Sequence, residues 1–87
     1  MVKLKFRTPT NEADNKRFRS QLTKLLSQRI QTIRKEKKIT QQELAESAGL
    51  HLTYIGHLEA GKYHPSTFVL WKIAQVLEVP MDDFINS

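Results

Sequence analysis

Cysteine is absent from this 87-residue chain, so neither a disulfide framework nor a thiolate zinc site can stabilise it, and helix packing must do that work. Glycine and proline are scarce, at three residues each, and there is no internal repeat, low-complexity tract or Gly/Ser linker. Long apolar runs are missing as well. The start reads Met1-Val2-Lys3-Leu4-Lys5-Phe6-Arg7, which alternates charged and apolar side chains, unlike a signal peptide or a membrane span. The expectation is a soluble, cytoplasmic protein. A core of this size leaves no room for a separate ligand-binding or catalytic domain, so function must reside on the surface.

Charge is present in quantity but unevenly placed. Through Thr40 there are twelve Lys/Arg against three Asp/Glu, and from Gln41 to Ser87 two against six, a balance of +9 followed by −4. Such asymmetry points to a polyanion met by the N-terminal half, the plainer alternative being a solvated basic helix face.

The chain divides into a basic arm, residues 1–20, and a helical body, residues 21–87. Val2, Leu4 and Phe6 alternate with Lys3, Lys5 and Arg7, a period of two that fits a short strand over residues 2–7, and Thr8-Pro9-Thr10-Asn11 breaks it. A lone strand is not stable in water, so it must pair or dock, or else be disordered. From Glu12, the residues Phe18, Leu22, Leu25, Leu26, Ile30 and Ile33 recur every three or four positions, which predicts one apolar face on a long helix ending near Lys37.

Thr40-Gln41-Gln42-Glu43 is a capping box: the Thr hydroxyl can accept from the Glu43 N–H while the Glu carboxylate reaches back to the Thr N–H. The helix it opens stops at Gly49, a residue suited to a left-handed C-terminus, and Leu50 can fold back on it. A third helix is expected from Leu52 to Ala60, with Ile55 and Leu58 inward and Gly61 as the stop. Pro65-Ser66 starts a fourth, whose inner face is Leu70, Ile73, Ala74 and Leu77, and Pro80 opens a short fifth through Phe84.

Two short helices joined by a glycine turn form a helix-turn-helix unit, whose second member can enter a groove. Moreover, Thr40-Gln41-x-Glu43-Leu44-Ala45, Ala48-Gly49-Leu50, Tyr54-Ile55-x-x-Leu58-Glu59-x-Gly61-Lys62 and Pro65-Ser66 together resemble the phage Cro and repressor-type (XRE-like) helix-turn-helix family. The resemblance covers roughly Leu25 to Ile85. It implies an all-α, compact five-helix repressor-like DNA-binding domain, here with an N-terminal basic extension, together with a dimeric habit and operator binding.

By that resemblance, bases are read from His51, Leu52, Thr53, Gly56 and His57. Thr53 can hydrogen-bond a base edge or touch a thymine methyl, Leu52 offers an apolar contact, and His57 can donate or accept. No Arg or Gln stands there for a bidentate contact, so shape and phosphate recognition should carry a large share. Gln41, Gln42, Tyr54 and Lys62 are the phosphate candidates; for the glutamines the alternative is an ordinary exposed first turn, and for Tyr54 packing against the turn. His51 replaces the usual Ser or Thr N-cap. Arg34 and Glu59 match a structural pair that fixes the angle of the recognition helix.

The expected function is a sequence-specific transcriptional regulator binding a pseudo-palindromic site on double-stranded DNA as a homodimer, through Met81, Phe84 and Ile85 of the last helix, extended by the Val2-Leu4-Phe6 strand. The alternative is an antitoxin-like or adaptor protein whose arm binds a partner protein. Lys3, Lys5 and Arg7 could also follow a phosphate backbone or enter a minor groove. Phe68 and Trp71, at i, i+3 spacing, depart from the family's polar residues and call for cover by Val2, Leu4, Phe6 or Phe18, within a chain or across a dimer, the alternative being a partly exposed aromatic pair. No enzyme, metal or cofactor is expected, because Glu59 lacks a nearby nucleophile and His51, His57 and His64 lack metal-ligand spacing.

Overall fold

The computed structural model describes residues 8–85, and the strand expected over residues 2–7 lies outside them, as do Val2, Leu4 and Phe6. Helix α1 spans Glu12–Glu36, α2 Gln41–Ala48, α3 Leu52–Glu59 and α4 Thr67–Leu77. The fifth helix is a single 3-10 turn, η1, at Met81–Phe84. Four residues after Pro80 cannot complete an α-helical ladder, and tighter i→i+3 bonds close such short pieces.

Each boundary has a local cause. Asn11 Oδ1 accepts from the Asp14 N–H at 2.8 Å and starts α1. Thr40 Oγ1 accepts from the Glu43 N–H at 3.0 Å, and Glu43 Oε1 from the Thr40 N–H at 3.0 Å, closing the box that opens α2. Those bonds hold the Glu43 carboxyl below its ordinary range. Gly49 stops α2 at φ 67°, which a residue with a Cβ enters only with strain, and the Leu50 N–H returns to the Ala45 carbonyl at 2.8 Å. Ser66 Oγ accepts from the Val69 N–H at 3.1 Å at the head of α4.

The core gathers Leu26, Ile30 and Ile33 of α1, Leu44 and Ala45 of α2, Ile55 and Leu58 of α3, Leu70, Ile73, Ala74 and Leu77 of α4, and Phe84. Only the second half of α1 contributes. Phe18 and Leu22, expected on the same buried face, are exposed, and Leu25 is half-buried. At about 1.5 Å per residue, α1 is roughly three times as long as α2 or α3, so its first half outruns the helices that could cover it. Residue 20, where the arm was expected to give way to the body, falls inside this continuous helix.

Phe84 corrects a second expectation. It is 0% exposed within a single chain and belongs to the core, so it has no surface to offer a symmetry mate. Arg29 Nε donates to the Asp83 carbonyl at 3.0 Å, pinning η1 to α1 with the Phe84 ring turned inward. Met81 is half-buried and Ile85 is 51% exposed.

Candidate nucleic-acid interface

Helix α3 is held from behind by a buried polar junction. Arg34 of α1 donates to Glu59 through Nε at 2.6 Å and Nη2 at 2.9 Å, and through Nη1 to the Ile39 carbonyl at 2.8 Å. Gln41 Nε2 adds a bond to Glu59 Oε1 at 3.0 Å. A bidentate carboxylate–guanidinium pair fixes direction as well as distance, so the end of α3 is keyed to α1 and to the first residue of α2. Gln41 therefore spends its amide nitrogen inside the protein. What the start of α2 presents outward is its backbone N–H groups, while the Gln42 side chain bonds Glu46 at 3.1 Å.

The opposite face of α3 is open. His51, Leu52 and Thr53 are exposed at its beginning, and Gly56 and His57 follow one turn later, half-buried. Spacings of three and four residues put Thr53, Gly56 and His57 on one side, with Leu52 and Gly56 in line beside them. His51 makes no side-chain cap, so its imidazole is not engaged with the helix it precedes. A methyl added at Gly56 would meet no heavy atom within 4 Å, so no close approach within the chain demands glycine there.

Tyr63 is a residue the sequence reading passed over. Its ring stacks at 6.0 Å on Tyr54 and meets His57 edge-on at 5.5 Å. An aromatic two residues beyond Gly61, itself left-handed at φ 77°, was the available signal, because that turn sends the chain back across α3. Tyr54 is half-buried by this arrangement, and burial pushes its phenol up, so near neutrality it remains a donor. Lys62 is exposed beside it.

Behind Tyr63 lies an open groove of about 490 Å³ between the first half of α1 and the loop 61–64. It is lined by Lys16, Arg19, Ser20 and Thr23 on one side and by Gly61, Lys62, Tyr63 and His64 on the other. Thr23 Oγ1 gives its hydrogen to the Arg19 carbonyl at 2.7 Å, so the 2.7 Å contact with His64 Nδ1 must have the imidazole as donor. Burial, and secondarily the nearby Arg19 guanidinium, hold His64 below its ordinary value. This His64–Thr23 clasp ties the loop to α1, and a separation of forty-one positions hid it from any reading of local spacing.

Phe68 and Trp71 stack on each other at 6.2 Å, with Lys72 Nζ 5.0 Å from the Phe68 ring centre, yet remain 63% and 48% exposed. Phe18, offered above as a cover, is itself exposed and carries the Arg17 guanidinium over its ring at 5.1 Å. Among the described residues, no group of three or more His, Asp or Glu is placed to hold a metal ion, and no helix is long and apolar enough to cross a membrane.

A capped short helix, a left-handed glycine turn and an outward-facing second helix locked by Arg34–Glu59 define a helix-turn-helix protein. The chain belongs to the helix-turn-helix family HTH_3, which matches residues 30–84, a family of DNA-binding regulators and not of enzymes. It is 38% identical over 62 residues to the immunity repressor protein of Bacillus phage phi105, a match covering 71% of this chain and 43% of that one. It is 40% identical over 55 residues to an uncharacterised HTH-type transcriptional regulator of Archaeoglobus fulgidus, covering 63% of this chain and 78% of the other. Among solved structures it resembles the restriction-modification controller protein C.AhdI of Aeromonas hydrophila, with a TM-score of 0.69, 27% identity, and coverage of 71% of this chain and 94% of that one. The chain thus spans less than half the length of the phage repressor it matches.

Proposed function

We propose that the protein is a sequence-specific DNA-binding transcription regulator of the cytoplasm that lays α3 in the major groove of a pseudo-palindromic operator, two copies per site. The observation that carries this reading is the exposed run His51, Leu52 and Thr53 at the head of a helix whose far end is locked by a buried ion pair. Chemically, Leu52 and the Thr53 methyl suit thymine methyl groups, and the Thr53 hydroxyl and His57 can exchange hydrogen bonds with base edges. Phosphates are met by the backbone N–H groups of Gln41 and Gln42, by the Tyr54 hydroxyl and by Lys62. Without a bidentate Arg or Gln on α3, phosphate contacts and DNA shape supply most of the affinity.

The dimer surface in this reading is the end of the chain, with Met81 and Ile85 facing their symmetry mates. Two copies so joined present their α3 helices about 34 Å apart, one turn of the duplex. Hydroxyl-radical footprinting combined with sedimentation should show two protected half-sites, one turn apart, bound by two protomers. One protected half-site bound by a single protomer contradicts the dimeric reading.

Gly56→Ala separates stability from contact. With open space for the methyl, the variant should gain about 1 kcal/mol from helix propensity, read as a higher unfolding midpoint. Its affinity for DNA should nevertheless fall, because the added methyl faces the bases. Unchanged affinity would show that the duplex does not approach Gly56.

The exposed Phe68–Trp71 stack favours a second reading, an antitoxin-like or adaptor protein that binds a partner protein as well as DNA. Under that reading Trp71→Ala abolishes association with the partner and leaves DNA affinity and oligomeric state unchanged.

A further inference from the structure

We propose that the groove between the first half of α1 and the loop 61–64 seats a backbone phosphate of DNA flanking the segment read by α3, with Lys16 and Arg19 on one wall and Lys62 on the other. The inference rests on the DNA-binding reading above and extends it to residues that precede the family match, which begins at residue 30.

Three cations line the groove, no carboxylate does, and among the described residues none of the three is in an ion pair. The nearest acidic group in sequence, Asp14, is taken up by Arg17 at 3.5 Å and by Asn11. Like charges facing one another across a cleft repel, so an anion between them relieves a cost as well as making contacts. The Ser20 hydroxyl adds a neutral donor along the same wall. The groove is open along its length, which suits a passing polymer more than an enclosed small molecule.

Position favours a duplex. Tyr63 both lines the groove and packs its ring against Tyr54 and His57 of α3, so the cationic walls adjoin that helix. The His64–Thr23 clasp sets the width between the walls. The exposed first half of α1, which adds nothing to the hydrophobic core, thereby acquires a purpose as the outer jaw of a phosphate clamp.

The test uses the full chain and a 30-bp duplex carrying the site recovered by selection from random DNA, with affinity measured by fluorescence anisotropy from 50 to 300 mM salt. Lys16→Ala/Arg19→Ala changes two exposed side chains, and circular dichroism checks that the helix persists. Loss of one phosphate contact per protomer, two for the dimer-bound site, should weaken binding about sixtyfold at 0.1 M salt and flatten the log–log salt slope by about 1.8, with the sequence preference unchanged. The charge-matched control Arg17→Ala/Lys24→Ala, on the same helix but outside the groove, should change affinity by less than about threefold. Equal losses in both double variants, or no loss in Lys16→Ala/Arg19→Ala, overturn the clamp while the DNA-binding reading stands. Failure of the unmodified chain to bind any selected duplex overturns that reading and the clamp with it.

Discussion

Glu59→Ala is expected to destabilise the fold by about 3–5 kcal/mol, because it leaves the Arg34 guanidinium buried without its counter-charge. Both side chains are almost wholly covered, and two of the three Arg34 hydrogen bonds end on Glu59. Gln41 loses its partner as well. Against a total stability of about 5–15 kcal/mol for a domain of this kind, that loss should lower the thermal midpoint by roughly 12 °C or more. Urea unfolding followed by circular dichroism measures it directly. The double replacement Arg34→Met/Glu59→Leu should recover most of the loss, since two apolar side chains of similar volume remove the desolvation cost along with the attraction. It should not recover DNA affinity, because the pair's larger contribution is to set the direction of α3. A Glu59→Ala variant within 1 kcal/mol of the parent would mean that water reaches the junction.

Phe84→Ala should cost about 3–5 kcal/mol, and its unfolding midpoint should shift by the same amount at every protein concentration. The ring is fully enclosed by its own chain, and its removal leaves a void beneath a turn too short to collapse into it. Had Phe84 been a dimer contact, truncation would change the association constant and make the midpoint depend on concentration. Ile85→Ala is the complementary variant, expected to weaken association and leave protomer stability within about 0.5 kcal/mol, as exposed positions usually do. An unshifted midpoint in Phe84→Ala, with loss of the dimer, would contradict the core assignment.

These two sites show where the sequence speaks and where it does not. The capping box at Thr40–Glu43, the glycine stop at Gly49 and the start of α4 at Ser66 are written in neighbouring residues, and local chemistry is enough to place them. The Arg34–Glu59 pair spans twenty-five residues, and only the likeness to a known family draws the two together in advance. The apolar period on α1 is real, but period tells which residues share a face and not how far the covering helices extend. Phe18 and Leu22 therefore read as core and lie in solvent. In η1 the failure runs the other way: four residues define no face, so Phe84 read as surface and is buried.

The interface divides similarly. The outward residues of α3 follow from the position of Ile55 and Leu58 on its inner face. That Gln41 would give its amide nitrogen to Glu59 could not be seen, because an exposed first turn and a bridging one have the same sequence. Tyr63 and the His64–Thr23 clasp depend on how the loop after α3 returns across α1, a matter of tertiary packing alone.

The central claim is that α3 reads DNA through Leu52 and Thr53. Selection of bound sites from random duplex, carried out in parallel with the parent chain, Leu52→Ala and Thr53→Ala, tests it most directly. The account predicts one pseudo-palindromic site for the parent and, in each variant, a relaxed preference at a small number of symmetric positions, each worth about 1–3 kcal/mol of discrimination. An identical sequence preference in all three proteins would contradict it.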